Sequence, residues 1–145
     1  MGQGRHSMVL ARVGFRVFGV DIRPDSVFAA VSNARAAGLQ IYAWCADLIS
    51  HPLPRARFDL VVVTRYLQRD LFVGIRNAVV PGGFVLYETF TVAQRSIGTG
   101  PQSSDHLLEP GELRRRFDGF EIVFYEEVDG PAEAVARLVA KKPAT

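Results

Sequence analysis

The chain has 145 residues, 48% of them hydrophobic and 22% charged, with a net charge of +2. That length and balance fit one globular domain and exclude a disordered or fibrous chain; about two thirds of the unfolded surface can be buried without staples. One cysteine, Cys45, excludes an internal disulfide or a thiolate zinc cluster.

Fifteen of the 17 basic residues are arginine, spread along the chain. The densest run, Arg114 to Arg116, fits the solvated end of a helix, so a nucleic-acid stripe is not expected. No apolar run reaches the ~20 residues that cross a bilayer, and no secretory leader is visible, so a cytoplasmic protein is expected. Cys45 lies between Trp44 and Ala46 and reads as a small buried apolar residue.

The elements follow in order. Gly2-Gln3-Gly4-Arg5-His6-Ser7 reads as a glycine-rich turn opening a helix that runs to about Ala11. Residues 15–20 (FRVFGV) predict a strand closed by Asp21. Pro24 and Asp25 start a helix, since a first-turn proline lacks only an N–H that has no partner. Val27, Phe28, Val31, Ala34 and Leu39 form its apolar stripe, and Gly38 ends it. Residues 39–44 are the next strand. Residues 58–63 (FDLVVV) are apolar after the acid, as in a strand covered on both faces of a parallel sheet.

A helix over 67–79 follows, then the turn Pro81-Gly82-Gly83 and a strand over 84–90 (FVLYETF). Residues 98–110 read as a loop, and residues 91–109 as a mobile lid. Pro110-Gly111-Glu112-Leu113 opens a short helix, and residues 120–128 and 134–141 predict a closing antiparallel pair. Strand and helix alternation implies α/β units around a doubly wound, mostly parallel sheet with a C-terminal hairpin. Ligands on such sheets bind beyond the carboxyl ends of the strands.

Those ends hold the informative residues. The glycine turn lets a ligand approach the backbone. Asp21 suits two ribose hydroxyls, although taken alone a helix cap or exposed turn acid fits it better. Asp47, with Leu48 beside it, suits an adenine amine, and a turn aspartate is the alternative. Asp59 starts its strand, at the wrong end for a ligand. Thr64, Arg65 and Tyr66 lie at the productive end, as do Tyr87, Glu88 and Thr89.

The order GxGRH, VDI, ADL, FDLVVVTRYL, PGG and YETF resembles the class I S-adenosylmethionine-dependent methyltransferases. The match is nearest to small bacterial tellurite-resistance-type or methyltransferase-domain proteins, with LLEPGEL pointing to that subfamily. The resemblance covers nearly all of residues 1–145 as one domain with a Rossmann-like fold. It implies that Gly2 and Gly4 wrap the methionine part of the cofactor. It assigns Asp21 to the ribose, Ile22 to the side of the adenine, and Asp47 and Leu48 to the adenine pocket. Thr64 and Arg65 match the motif that closes over the cofactor and faces the acceptor. The family also places a central strand before Gly2, where this sequence has only Met1. The resemblance thus implies a domain lacking its first strand, with an internal start expected and self-association through an exposed sheet edge possible in principle.

The implied reaction is methyl transfer from S-adenosylmethionine to an unidentified acceptor, expected to be a small molecule. A base is needed only for a protonated acceptor, and His6, Tyr66, Tyr87 and Glu88 are its candidates. His51 and His106 sit in loops, and no spacing suits a metal. Two rival readings are a degenerate fold without activity and a nicotinamide-dependent oxidoreductase. The second fits less well, because Ser7 stands at the third fingerprint position and the PGG turn has no place in that motif.

Overall fold

In the computed structural model, which describes residues 1–145, strands and helices alternate as the hydrophobic pattern requires and a hairpin closes the chain. The chain divides into two units, Met1–Pro52 and Leu53–Thr145.

The first unit contains α1 (Arg5–Arg12), β1 (Phe18–Asp21), α2 (Pro24–Ala36) and β2 (Tyr42–Cys45). Residues 1–4 form a turn leading straight into α1. Its corner is Gly4, at φ +85°, where an added Cβ would lie 2.9 Å from the Ala30 Cβ. Only glycine meets both the left-handed backbone and this close approach to α2.

β1 and β2 pair in parallel from Phe18 opposite Tyr42 to Asp21 opposite Cys45. Both strands are shorter than expected. α2 ends in a Schellman turn: the Leu39 N–H donates to the Ala34 carbonyl at 2.8 Å and the Gly38 N–H to that of Arg35. Ala30 and Ala34 face the core with Val17 and Ile41, and Val31 and Leu39 pack around them. Phe28, expected on that stripe, is 76% exposed. Small residues line the buried side because the helix lies close to the glycine turn.

The second unit holds β3 (Phe58–Thr64), a 3₁₀ turn (Arg69–Leu71), α3 (Phe72–Ala78) and β4 (Val79–Phe90). These are followed by α4 (Gln94–Ile97), a second 3₁₀ turn (Ser104–His106), α5 (Glu112–Arg116), β5 (Glu121–Asp129) and β6 (Ala134–Lys141). Its sheet has the order β3-β4-β6-β5, with β3 and β4 parallel and the other two pairings antiparallel.

β4 alternates. Val85, Tyr87 and Thr89 are buried, while Phe84 and Leu86 are exposed. Phe72, Tyr87 and Phe117 meet with ring centroids 5.5–6.3 Å apart and join α3 and α5 to the sheet. The turn Pro81-Gly82-Gly83 lies inside β4 as an irregularity: Phe58 faces Val79, but Leu60 faces Phe84. A Cβ on Gly83 would stand 2.9 Å from the Asp59 carbonyl oxygen. The Lys142 Nζ reaches the Arg76 and Val79 carbonyls, capping the end of α3.

Two expectations need correction. β3 was expected to be covered on both faces, yet it is an edge strand and no residue of it is fully buried. Its near-continuous apolar run reports what the two faces could bury, not how many strands flank them. The segment expected as a mobile lid is instead pinned. Leu107 and Leu108 are fully buried, and Thr91 and Leu108 form a bridge. Buried Gln94 donates to the Thr99 carbonyl and accepts the Ala134 N–H. Of its polar residues only Thr91 and Gln94 are buried, and the serines between them and Leu107 stay exposed.

Candidate functional site

The carboxyl ends of β1 and β2 gather the residues expected to bind a nucleoside. Asp21 is the last paired residue of β1, and Asp47 lies two residues past Cys45, the last of β2. The glycine turn meets the first acid directly. Asp21 Oδ2 accepts the Gly2 N–H at 3.1 Å and the Met1 amine at 3.0 Å, and Oδ1 accepts the Arg23 N–H at 2.9 Å. Burial pushes the Asp21 carboxyl up, but these donors outweigh it and hold it below the ordinary carboxylate value.

Cys45 is exposed, not buried as expected: its thiol donates to the Ile22 carbonyl at 3.3 Å, and the Ala46 N–H donates to that of Asp21. The segment after β1 is thereby tied to the segment after β2. Ile22 is 62% exposed, which leaves an apolar side chain open beside the acid. Asp47 is exposed and caps its own turn, accepting the Ile49 N–H at 2.9 Å. Leu48 beside it is half-buried. Gly2, Gly4, Asp21, Ile22, Asp47 and Leu48 therefore all belong to the first unit. An open backbone corner, a carboxylate and apolar side chains suit a ribose and a flat base.

In the second unit Thr64 ends β3 opposite Glu88 of β4. Arg65 follows with φ +55°, in the left-handed region. Its N–H donates to the Glu88 carbonyl at 2.8 Å. Its side chain reaches Glu88 Oε1 at 3.2 Å and Glu133 Oε2 at 2.6 Å, and its guanidinium lies 4.6 Å from the centre of the Phe90 ring.

The four candidate bases now separate. Tyr87 is buried and donates to the Tyr66 carbonyl at 2.8 Å. Burial pushes its hydroxyl far above the ordinary value, so it stays protonated and structural. The two oxygens of Glu88 are bridged by Arg65 and by Arg137, the latter at 2.6 Å. Tyr66 and His6 are exposed. His51 and His106 are exposed as well, and no cluster of three His, Cys, Asp or Glu residues could hold a metal.

A second cluster leaves only a trace in the sequence. Glu112, only 6% exposed, accepts Arg69 Nε at 2.7 Å and Nη2 at 2.9 Å, Arg116 Nη2 at 3.1 Å and the Glu109 N–H at 2.9 Å. Arg69 also donates to the Ser104 and Leu107 carbonyls. Burial pushes the Glu112 carboxyl up, yet Arg69, the Glu109 N–H and Arg116 bring it down to about 2. These residues line an open cavity of about 600 Å³ with Ser104, Glu109 and Arg115. Only the Glu112–Arg116 spacing, one helical turn, was visible in the sequence. Arg69 stands 43 residues away.

Comparison with known proteins sets this geometry in a family. A family model described as a methyltransferase domain matches residues 1–83. A curated relative, the ubiquinone biosynthesis O-methyltransferase of Methylobacterium sp. (strain 4-46), is 30% identical over 145 residues, covering 96% of this chain and 57% of its own. TehB from Haemophilus influenzae superposes with a TM-score of 0.80 at 19% identity, over 97% of this chain and 55% of that one. The N-methyltransferase NodS of Bradyrhizobium japonicum, in complex with S-adenosylhomocysteine, gives 0.74 at 18% identity over 97% and 74%. The chain thus spans little more than half the length of the curated relative and of TehB.

Proposed function

The chain belongs to the methyltransferase-domain family of class I S-adenosylmethionine-dependent folds, and from that premise we propose that it binds S-adenosylmethionine and directs its methyl group to a small-molecule acceptor. One observation carries the reading. The glycine turn and Asp21, 17 residues beyond Gly4, meet through the Gly2 N–H at 3.1 Å. An open left-handed backbone corner at Gly2 beside a carboxylate held ionised fits a ribose with its attached chain.

Asp21 accepts the ribose hydroxyls in this reading, Ile22 and Leu48 flank the adenine, and Asp47 receives its amine. Gly2 leaves room for the methionine part, and Gly4 shapes the same turn by closing on Ala30 of α2. Thr64 and Arg65 take the acceptor-facing role on the family resemblance. When bound, the cofactor supplies a methyl group activated by its sulfonium, so the chain's own residues chiefly bind and orient. The relative is a ubiquinone biosynthesis O-methyltransferase, which supports a small-molecule acceptor. For a protonated acceptor, exposed His6 is the candidate to take the proton, since the Tyr66 hydroxyl donates to Gln68 Oε1.

Saturation-transfer NMR with S-adenosylhomocysteine and with NAD, run on the same sample, separates the readings. The proposal expects transfer to the adenosine protons of S-adenosylhomocysteine and none to NAD. Transfer to NAD alone would establish the oxidoreductase alternative, and transfer to neither would indicate a fold without cofactor.

A further inference from the structure

Across the carboxyl end of β3 and its neighbours runs a ladder of alternating charge. Glu133 and Glu88 flank Arg65, Glu88 and Glu126 flank Arg137, and Arg137 Nη2 stands 3.7 Å from Glu133. Its first cation, Arg65, is one of two non-glycine residues with positive φ, the other being Ala56 in the loop before β3. An arginine has no intrinsic reason to adopt that conformation, so the surroundings impose it.

What imposes it is visible. Glu88 grips Arg65 twice, accepting its N–H at the backbone carbonyl and its Nε at the carboxylate. Glu133 and the Phe90 ring hold the far end of the same side chain. The left-handed corner then turns the chain so that the Tyr66 carbonyl meets the buried Tyr87 hydroxyl while the Tyr66 side chain stays 46% exposed. Arg137 occupies the second oxygen of Glu88 and fixes that carboxylate in place.

We propose that Glu88 is a positioning residue: its carboxylate, bridging Arg65 and Arg137, holds the left-handed Arg65 corner that presents Thr64 and Tyr66 at the open end of β3. Its bearing on catalysis rests on the methyltransferase reading above. Its bearing on the corner does not. Both oxygens of Glu88 are engaged by cations, so it acts through Arg65 rather than on a substrate.

Two measurements on the whole chain test this: amide hydrogen exchange at Arg65 and Tyr66, and affinity for S-adenosylhomocysteine by calorimetry. Glu88→Gln keeps the shape and removes the charge. It should speed exchange at Arg65 about tenfold and weaken the ligand about three- to tenfold, a tenfold change being 1.4 kcal/mol. Arg65→Gly supplies a residue that adopts the corner unaided. In that background Glu88→Gln should change either quantity less than about twofold. Glu133→Gln, which removes the other carboxylate on Arg65, should shift exchange the same way by a smaller factor.

Unchanged exchange at Arg65 in Glu88→Gln would overturn the proposal. So would a Glu88→Gln effect of equal size in the Arg65→Gly background, since Glu88 would then act by another route. If the unsubstituted chain binds no S-adenosylhomocysteine, the methyltransferase reading fails, and the exchange measurement still decides whether Glu88 holds the corner.

Discussion

Replacing Glu112 by glutamine removes the anion from a site built around it. The carboxyl stands at about 2 against an ordinary 4.5, and each pH unit is worth 1.36 kcal/mol. The difference of about 2.5 units corresponds to about 3 kcal/mol of stability at neutral pH. Arg69 and Arg116 are 30% and 40% exposed, so solvent screening reduces this to about 2 kcal/mol. The sign follows from the depressed pKa: the contribution is complete above about pH 4.5 and is lost as pH falls towards 2. Urea denaturation of the chain and of Glu112→Gln, followed from pH 7 to pH 2.5, measures it. The variant should lose about 2 kcal/mol at pH 7, and the gap should close as the medium approaches pH 2. A variant within about 0.5 kcal/mol at pH 7, or a gap that stays constant on acidification, would refute the reasoning.

Gly4→Ala forces a methyl group against Ala30 at a left-handed position. It should destabilise the first unit by about 1–3 kcal/mol, read as a lowered urea midpoint. Tyr87→Phe removes the hydrogen bond to the Tyr66 carbonyl while keeping the ring stack on Phe72. Its cost should be about 1 kcal/mol in chemical denaturation, more if the carbonyl is left without a partner. If Tyr87 is structural, any methyl-transfer pH profile should keep its shape in that variant.

The sequence disclosed features whose causes are local. The helix start at Pro24, the stop at Gly38 and the hairpin of β5 and β6 depend on neighbouring residues, and they appear where patterning puts them. Parallel α/β topology put Asp21 at a ligand-facing strand end, while its direct bond to the Gly2 N–H was not expected. The same logic placed Asp59 away from any ligand edge, and the structure leaves it exposed near the start of β3.

What stayed hidden depends on contacts between distant residues. No periodicity links Arg69 to Glu112, or Arg65 to Glu133 across 68 positions. Residues 91–109 read as a mobile lid because of their length and their glycine and serine content. The two bonds of Gln94 and the buried pair Leu107 and Leu108 hold that segment down instead. The apolar run of β3 signalled burial but not its edge position, since composition reports the faces of a strand and not its neighbours.

The central claim is that Asp21 and the glycine turn form a nucleoside site, and calorimetric titration with S-adenosylhomocysteine tests it most directly when repeated on Asp21→Ala. The account predicts binding of one ligand per chain, weakened about 10- to 100-fold in the variant, the scale of lost charge-assisted hydrogen bonds. Equal affinity in the two proteins would contradict it.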